Sequence, residues 1–265
     1  MKNLRVSLIQ GETRWHDPAG NRDYYADLIE PLHNTTDLVI LPETFTSGFS
    51  NDAIGDAETM GGETVEWLRR QADSIDAAIC GSVQIRTDEG VFNRMLFVKP
   101  DGELHTYDKR HLFRYAKENE RYAAGRDRIT VEWKGWRICP QVCYDLRFPV
   151  FSRNRFNVER EGLLDYDLLI YVANWPSARN YAWKTLLRAR AIENLCFVAG
   201  VNRVGTDGNG LHYSGDSAII DFLGHPLTEA ADEEVVSTML LQAAPLIAHR
   251  ERFPAMLDAD SFELN

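Results

Sequence analysis

Cys143 is the residue around which covalent chemistry can be organised. The run before it, Ile138-Cys139-Pro140-Gln141-Val142, is mostly apolar and reads as a buried strand. Pro149, six residues on, suits the first turn of a helix. The cysteine therefore falls where a strand turns toward a helix. Active groups often stand at the carboxyl ends of strands in α/β sheets, and a helix start nearby favours a thiolate. A free thiol of pKa ~8.5 is only a few per cent ionised near neutral pH, so a cysteine nucleophile needs a base. None of the seven histidines lies in a cysteine-protease context. Carboxylates at strand ends are the alternative. Glu43 ends the apolar run Leu38-Val39-Ile40-Leu41-Pro42-Glu43. At that depth its pKa is expected to be raised, as befits a general base. Lys109 lies in Tyr107-Asp108-Lys109-Arg110-His111-Leu112-Phe113, which taken alone is a surface charge run. Held beside a thiol and a glutamate, its ammonium would stabilise a developing oxyanion.

These residues need a scaffold, and the pattern supplies one. Strand-like apolar runs occur at Arg5–Gln10, Asp37–Leu41, Ala77–Ile85, Phe92–Val98, Ile129–Trp133, Trp136–Val142, Asp167–Val172, Cys196–Asn202, Ser217–Phe222 and Val235–Leu241. Helical patterns occupy Asp23–Leu32, Thr64–Ile75 and Tyr181–Leu195. Hairpin turns are expected at Asp88-Glu89-Gly90 and at Lys134-Gly135. Hairpins mixed with crossover helices indicate an α/β or α+β layered domain, and this many strands fits two packed sheets better than one. Cys80, Cys139 and Cys196 sit in or at the start of apolar runs and read as buried, inert thiols. Cys139 and Cys143 are four apart, but no second pair or histidine partner completes a metal-ligand pattern.

Composition narrows the class. With 265 residues, 44% hydrophobic and 26% charged, the chain is globular and long enough to bury a core without disulfides or metal staples. No linker or repeat divides it, so residues 1–265 are expected to form a single domain. A net charge of −11 argues against nucleic acid as a partner. No apolar run approaches the ~20 residues of a membrane span, and the N-terminus carries no signal-peptide pattern. Few cysteines and no leader point to the cytoplasm.

Leu41-Pro42-Glu43, Tyr107-Asp108-Lys109-Arg110-His111-Leu112-Phe113 and Cys143-Tyr144-Asp145-Leu146-Arg147-Phe148-Pro149 together resemble the three catalytic blocks of the nitrilase superfamily of carbon–nitrogen hydrolases. They stand in the family's order, 66 residues from Glu43 to Lys109 and 34 from Lys109 to Cys143. The likeness runs over essentially the whole chain. It implies an α/β fold, a four-layer αββα sandwich with two central mixed sheets flanked by helices. It also implies a triad in which Glu43 is the general base, Lys109 stabilises the tetrahedral intermediate and Cys143 is the nucleophile. The Tyr144 backbone N–H would be a second oxyanion donor. A further glutamate between the lysine and the cysteine is Glu118 or Glu120. Glu118 is preferred because it lies seven residues before Gly125, the spacing the family's glutamate keeps from a comparable glycine. No metal or organic cofactor is implied.

The block after Cys143 resembles the omega-amidase branch, which hydrolyses the terminal amide of short dicarboxylic monoamides such as 2-oxoglutaramate and 2-oxosuccinamate. True nitrilases usually follow the cysteine with Trp-Glu, which this chain lacks. Val172-Ala173-Asn174-Trp175-Pro176 resembles the loop lining the family's pocket, which makes Asn174 and Trp175 expected substrate contacts. A distal carboxylate needs a cation. Arg114, Arg179 and Arg203 all lie near motif positions, and Arg114 is carried forward as the substrate-binding candidate. Arg147 is expected to pair with Asp145. The partner is then a small-molecule amide, and the family commonly dimerises through helices near the cysteine, here the one after Pro149 and Tyr181–Leu195. An N-carbamoyl-amine hydrolase or a broader short-chain amidase is the alternative within the family. An inactive scaffold or a histidine-dependent thiol protease is the alternative outside it.

Overall fold

Runs rich in Val, Ile and Leu become strands buried on both faces, and the computed structural model describes residues 1–157 and 163–263. The strands β1 (Leu4–Gln10), β2 (Leu38–Ile40), β3 (Ala78–Thr87), β4 (Gly90–Val98) and β5 (Leu104–Asp108) lie in a first sheet. β6 (Val131–Trp133) and β7 (Trp136–Val142) begin a second, and β8 (Phe156–Asn157) pairs only with β9 (Leu163–Leu164). β10 (Leu168–Ala173) and β11 (Phe197–Asn202) continue the second sheet. β12 (Val204–Thr206) and β13 (His212–Ser214) form a separate pair. β14 (Ala218–Ile220) and β15 (Pro226–Glu229) complete the second sheet, and β16 (Val235–Leu241) returns to the first. The helices are α1 (Pro18–Ile29), α2 (Glu63–Ile75), α3 (Pro149–Ser152), α4 (Asn180–Asn194) and α5 (Ala243–Arg252).

The first sheet runs β16-β1-β2-β3-β4-β5 and the second β15-β14-β11-β10-β7-β6. Each has three parallel strands at its centre, β1-β2-β3 and β7-β10-β11, with antiparallel neighbours outside. Successive side chains on a strand point to opposite faces, and this alternation makes the layers. Leu8, Ile40, Val142 and Ile170 meet between the two sheets. Their neighbours Ile9, Val39 and Leu41 face outward onto Tyr25 and Ile29 of α1 and Leu68 and Ala72 of α2. Leu169 and Tyr171 likewise face Trp183, Leu187 and Ala191 of α4. The result is the αββα order the sequence led us to expect.

Differences from the sequence reading have local causes. α1 starts five residues earlier than Asp23. The Asp17 carboxylate accepts from the Gly20 N–H at 2.9 Å, and Pro18 occupies the first turn. Its far end tightens into a 3-10 turn over Glu30–Leu32, where Pro31 removes a helical donor. α5 had no clear sequence signal because only Ala243 and Leu246 of it are buried. The Lys134-Gly135 turn has both residues at positive φ, +48° and +80°, the geometry that matches the twist of a two-residue hairpin.

Candidate active site

The parallel strands end on the same side, and the residues that follow them converge there. Glu43 follows β2, Cys143 follows β7 and Asn174 follows β10, while Lys109 follows the edge strand β5. Glu43, Lys109, Cys143, Tyr144, Asn174 and Trp175 line one cavity of about 210 Å³.

Cys143 sits at a sharp bend with φ of +44°, a conformation rare for a residue with a side chain. The carboxylate of Asp145 holds this bend. It is fully buried and accepts from the Val142 N–H at 3.0 Å, the Tyr107 hydroxyl at 2.7 Å and the His111 N–H at 3.0 Å. His111 Nδ1 lies 2.7 Å from the same group. One side chain thus ties the segment bearing Lys109 to the bend bearing Cys143. Asp145 has no bond to Arg147, contrary to expectation. Its oxygens are committed to these four contacts, and the Arg147 guanidinium instead lies over the Trp175 ring, 4.9 Å from its centroid.

Lys109 is buried, and its Nζ donates to Glu43 Oε1 at 2.9 Å and to Glu118 at 3.0 Å. An ammonium has three donors, so one remains for a ligand. Burial disfavours its charge, but the adjacent carboxylates of Glu118 and Glu43 outweigh that and hold its pKa well above the usual lysine value. Glu43 is gripped from the opposite sheet. The Asn174 backbone N–H donates to its Oε2 at 2.8 Å, and the Asn174 amide donates to its backbone carbonyl at 2.7 Å. Asn174 therefore lines the cavity but uses its amide on Glu43 and Thr44. Burial, and then the charge of Glu43, push the Cys143 thiol well above its ordinary pKa despite Lys109 nearby.

Of the two candidate glutamates, Glu118 is the buried one and Glu120 is exposed. Glu118 also accepts from the Phe113 N–H at 2.6 Å, which folds the loop back under Lys109. Burial raises its pKa, with Lys109 opposing and Glu43 adding to the rise. Gly125 closes this loop. Its N–H reaches the Lys109 carbonyl at 2.9 Å, and a Cβ there would stand 2.1 Å from the Asp108 carbonyl oxygen. The sequence reading missed Asn93, whose Nδ2 donates to Glu43 Oε1 at 2.8 Å and reaches Glu118 at 3.5 Å. A polar residue inside the apolar run Phe92–Val98 was the available signal.

The arginines sort differently than expected. Arg114 is exposed at the start of an outward 3-10 turn, Arg114–Ala116, and lies outside the cavity lining. Arg203 is buried against the Tyr213 ring, also outside the lining. Arg179 and Arg147 do line the cavity. Phe49, Phe113, Tyr115 and Tyr213 supply aromatic wall that the sequence reading did not identify.

A family model described as carbon–nitrogen hydrolase matches residues 5–250. An omega-amidase, YafV, of Yersinia enterocolitica is 48% identical over all of both chains, and that of Escherichia coli K12 is 46% identical over the same extent. A 2-oxoglutaramate amidase of Bacillus subtilis is 30% identical, covering 96% of each chain. Among solved structures, XC1258 of Xanthomonas campestris is 70% identical with a TM-score of 0.99 over all of both chains. It is described as a CN-hydrolase superfamily protein with an arsenic adduct in its active site. Nit3 of Saccharomyces cerevisiae, a nitrilase superfamily member, shares the fold with a TM-score of 0.84 at 24% identity, covering 96% of this chain and 95% of its own. The chain belongs to the carbon–nitrogen hydrolase family.

Proposed function

We propose that the protein is an omega-amidase, a cysteine-dependent amidohydrolase that releases ammonia from the terminal amide of short dicarboxylic monoamides such as 2-oxoglutaramate and 2-oxosuccinamate. The observation that carries this reading is full-length similarity to relatives named as omega-amidases. The cavity supports it by combining a thiol, a buried acid–base set and cationic side chains.

In this reading the resting thiol stays protonated, because burial and Glu43 oppose its ionisation. As the sulfur attacks the amide carbon, the thiol proton passes to Glu43. The third Lys109 donor and the Tyr144 N–H receive the oxyanion. Protonated Glu43 then gives its proton to the departing nitrogen, ammonia leaves, and a thioester remains on Cys143. Glu43 next takes a proton from water as the water attacks the thioester. That proton returns to sulfur when the acid is released. Lys109 remains an ammonium throughout, and Glu118 and Asn93 act by holding Lys109 and Glu43 in place.

Residues 1–265 act as one domain in this reading, and the working unit is a homodimer. Val150, Tyr181 and Ile192, on α3 and α4, are more than half exposed apolar side chains on the two helices expected to meet a second copy. Light scattering at micromolar concentration that returned about 30 kDa would rule the dimer out. Four unpaired cysteines suit a reducing compartment and support the reading that the protein works in the cytoplasm. No described helix is long and apolar enough to cross a membrane.

Ammonia release from 2-oxoglutaramate, 2-oxosuccinamate, glutamine, an N-carbamoyl amino acid, a simple aliphatic amide and a nitrile tests the function. Wild type and Cys143→Ala are compared. Cysteine-dependent turnover concentrated on the oxo-acid amides is expected. Carbon dioxide released with ammonia would shift the substrate to carbamoyl compounds, and silence from folded protein would sink the omega-amidase reading.

A further inference from the structure

Arg147 and Arg179 bring two positive charges to the cavity, and neither has a carboxylate within ion-pair distance among the described residues. Several other part-buried guanidinium groups are neutralised by carboxylates. Arg94 is paired with Asp108, Arg137 and Arg250 with Asp167, and Arg190 with Glu193. Guanidinium groups facing a shared, largely aromatic cavity without a counter-ion form a site for an anion.

We propose that Arg179 is the residue that selects substrates carrying a carboxylate at the end opposite the scissile amide. This deepens the omega-amidase reading and rests on it. The Arg179 guanidinium lies 5.4 Å from the centroid of the Phe113 ring, which shields one face from water and leaves its edge donors free. Its backbone is fixed on both sides. The Trp175 indole N–H donates to the Arg179 carbonyl at 2.9 Å, and the Arg179 N–H donates to the Pro176 carbonyl at 2.9 Å. Ser177 Oγ ties the same turn to the His212 carbonyl at 3.0 Å, and the Trp175 N–H is held by Asn202 Oδ1 at 2.7 Å.

The same short loop begins at Asn174, whose N–H grips Glu43. One rigid segment, 174–179, therefore carries both the hold on the general base and the cation for the far end of the substrate. The distance between the two is set by a hydrogen-bonded turn and not by a flexible side chain alone. Such a segment measures chain length: a carboxylate reaches Arg179 only when the carbons between it and the amide span that fixed gap.

The test compares ammonia release from succinamate and from butyramide, which has the same number of carbons and no carboxylate. Arg179→Gln is expected to lower the ratio of kcat/KM for succinamate over butyramide by roughly 10- to 100-fold, mainly through KM. Arg179→Lys should recover part of that ratio by restoring the charge without the planar fork. Arg114→Gln, exposed and outside the cavity, should leave the ratio within about twofold. Trp175→Phe keeps a ring and loses the bond to the Arg179 carbonyl, so its ratio should fall less than that of Arg179→Gln. An unchanged ratio in Arg179→Gln overturns the proposal while leaving the omega-amidase reading intact. If the wild type hydrolyses no oxo-acid amide, that reading fails, and binding decides Arg179 separately. Calorimetry of 2-oxoglutarate with Cys143→Ala and with Cys143→Ala/Arg179→Gln is then the readout. Binding lost only in the double variant supports Arg179. Equal binding, or none to either, overturns it.

Discussion

The floor and the mouth of the cavity treat charge in opposite ways. At the floor, Lys109 lies between Glu43 and Glu118, with Asn93 bonded to both carboxylates. With all three ionised, that buried cluster holds one negative charge more than it holds positive. At the mouth, Arg147 and Arg179 lie on aromatic rings with no carboxylate beside them among the described residues. A monoamide of a dicarboxylic acid entering this field is oriented by it. In the proposed reading its carboxylate is drawn to the mouth, so the neutral amide end arrives at Cys143. In that reading the floor, a lysine between two carboxylates, serves the reaction, and the guanidinium groups at the mouth orient the substrate.

The contrast breaks most completely at Lys109. Lys109→Ala leaves two buried carboxylates without their cation and removes an oxyanion donor. We expect kcat to fall by about 10²–10³, about 3–4 kcal/mol, with a loss of thermal stability as well. Near-normal turnover would end the assignment. Asn93→Ala removes a neutral donor to the same carboxylates and should cost about 1.5–3 kcal/mol in kcat/KM, with kcat carrying most of it. A pure KM effect would place Asn93 with the mouth instead.

The third prediction concerns pH. Burial and the Glu43 charge raise the Cys143 pKa. Iodoacetamide should therefore label the free wild-type enzyme slowly through the ordinary thiol range, with the rate rising only at higher pH. Glu43→Gln removes a negative neighbour, so that rise should move to lower pH. An unmoved or upward-shifted profile would show that Glu43 does not govern the thiol.

The smallest effect belongs to a carboxylate remote from the cavity. Burial alone would raise the pKa of Asp37, but hydrogen bonds from Arg5 and Lys134 win and hold it at about 2. A depressed folded value stabilises the protein above the unfolded pKa near 4, and that contribution is lost as pH falls through about 2. Both basic partners are about 40% exposed, so the contribution is about 1–2 kcal/mol after screening. Asp37→Asn should lower the melting temperature by a few degrees near neutral pH, leave kcat alone, and flatten the acid limb. A change in kcat would mean that the floor is coupled to the start of β2.

Glu43, Lys109 and Cys143 were readable in the sequence because their three blocks together resemble those of carbon–nitrogen hydrolases, whereas Lys109 taken alone lies in a surface charge run. Glu43 ends an apolar run, and Cys143 stands before a proline-initiated turn. Gly125 pointed to Glu118 through the spacing that the resemblance implies, and the structure shows why a glycine stands there: a Cβ would meet the Asp108 carbonyl. Asn93 escaped because its partners are 50 and 25 residues away and nothing local marks its direction. The choice of Arg114 failed for a related reason. Nearness in sequence to Lys109 said nothing about the outward turn that the chain makes after Phe113. Arg147 was paired with the wrong partner because Asp145 is saturated by its own bend at Val142 and by Tyr107 and His111 from the other sheet and the segment after it.

What the sequence determined by itself was the alternation of strands and helices, the layered class that alternation dictates, and the kinds of group that stand at strand ends. These follow from local periodicity and from residues whose chemistry is costly to bury without a use. Only the tertiary structure decided which charges are matched. Whether a carboxylate or a guanidinium is neutralised depends on neighbours brought in from other strands, and those distances are set by how two sheets stack. In this chain that stacking brings Asn174 onto Glu43, the loop folded back at Phe113 sets Glu118 against Lys109, and Arg179 faces the cavity with no carboxylate beside it among the described residues.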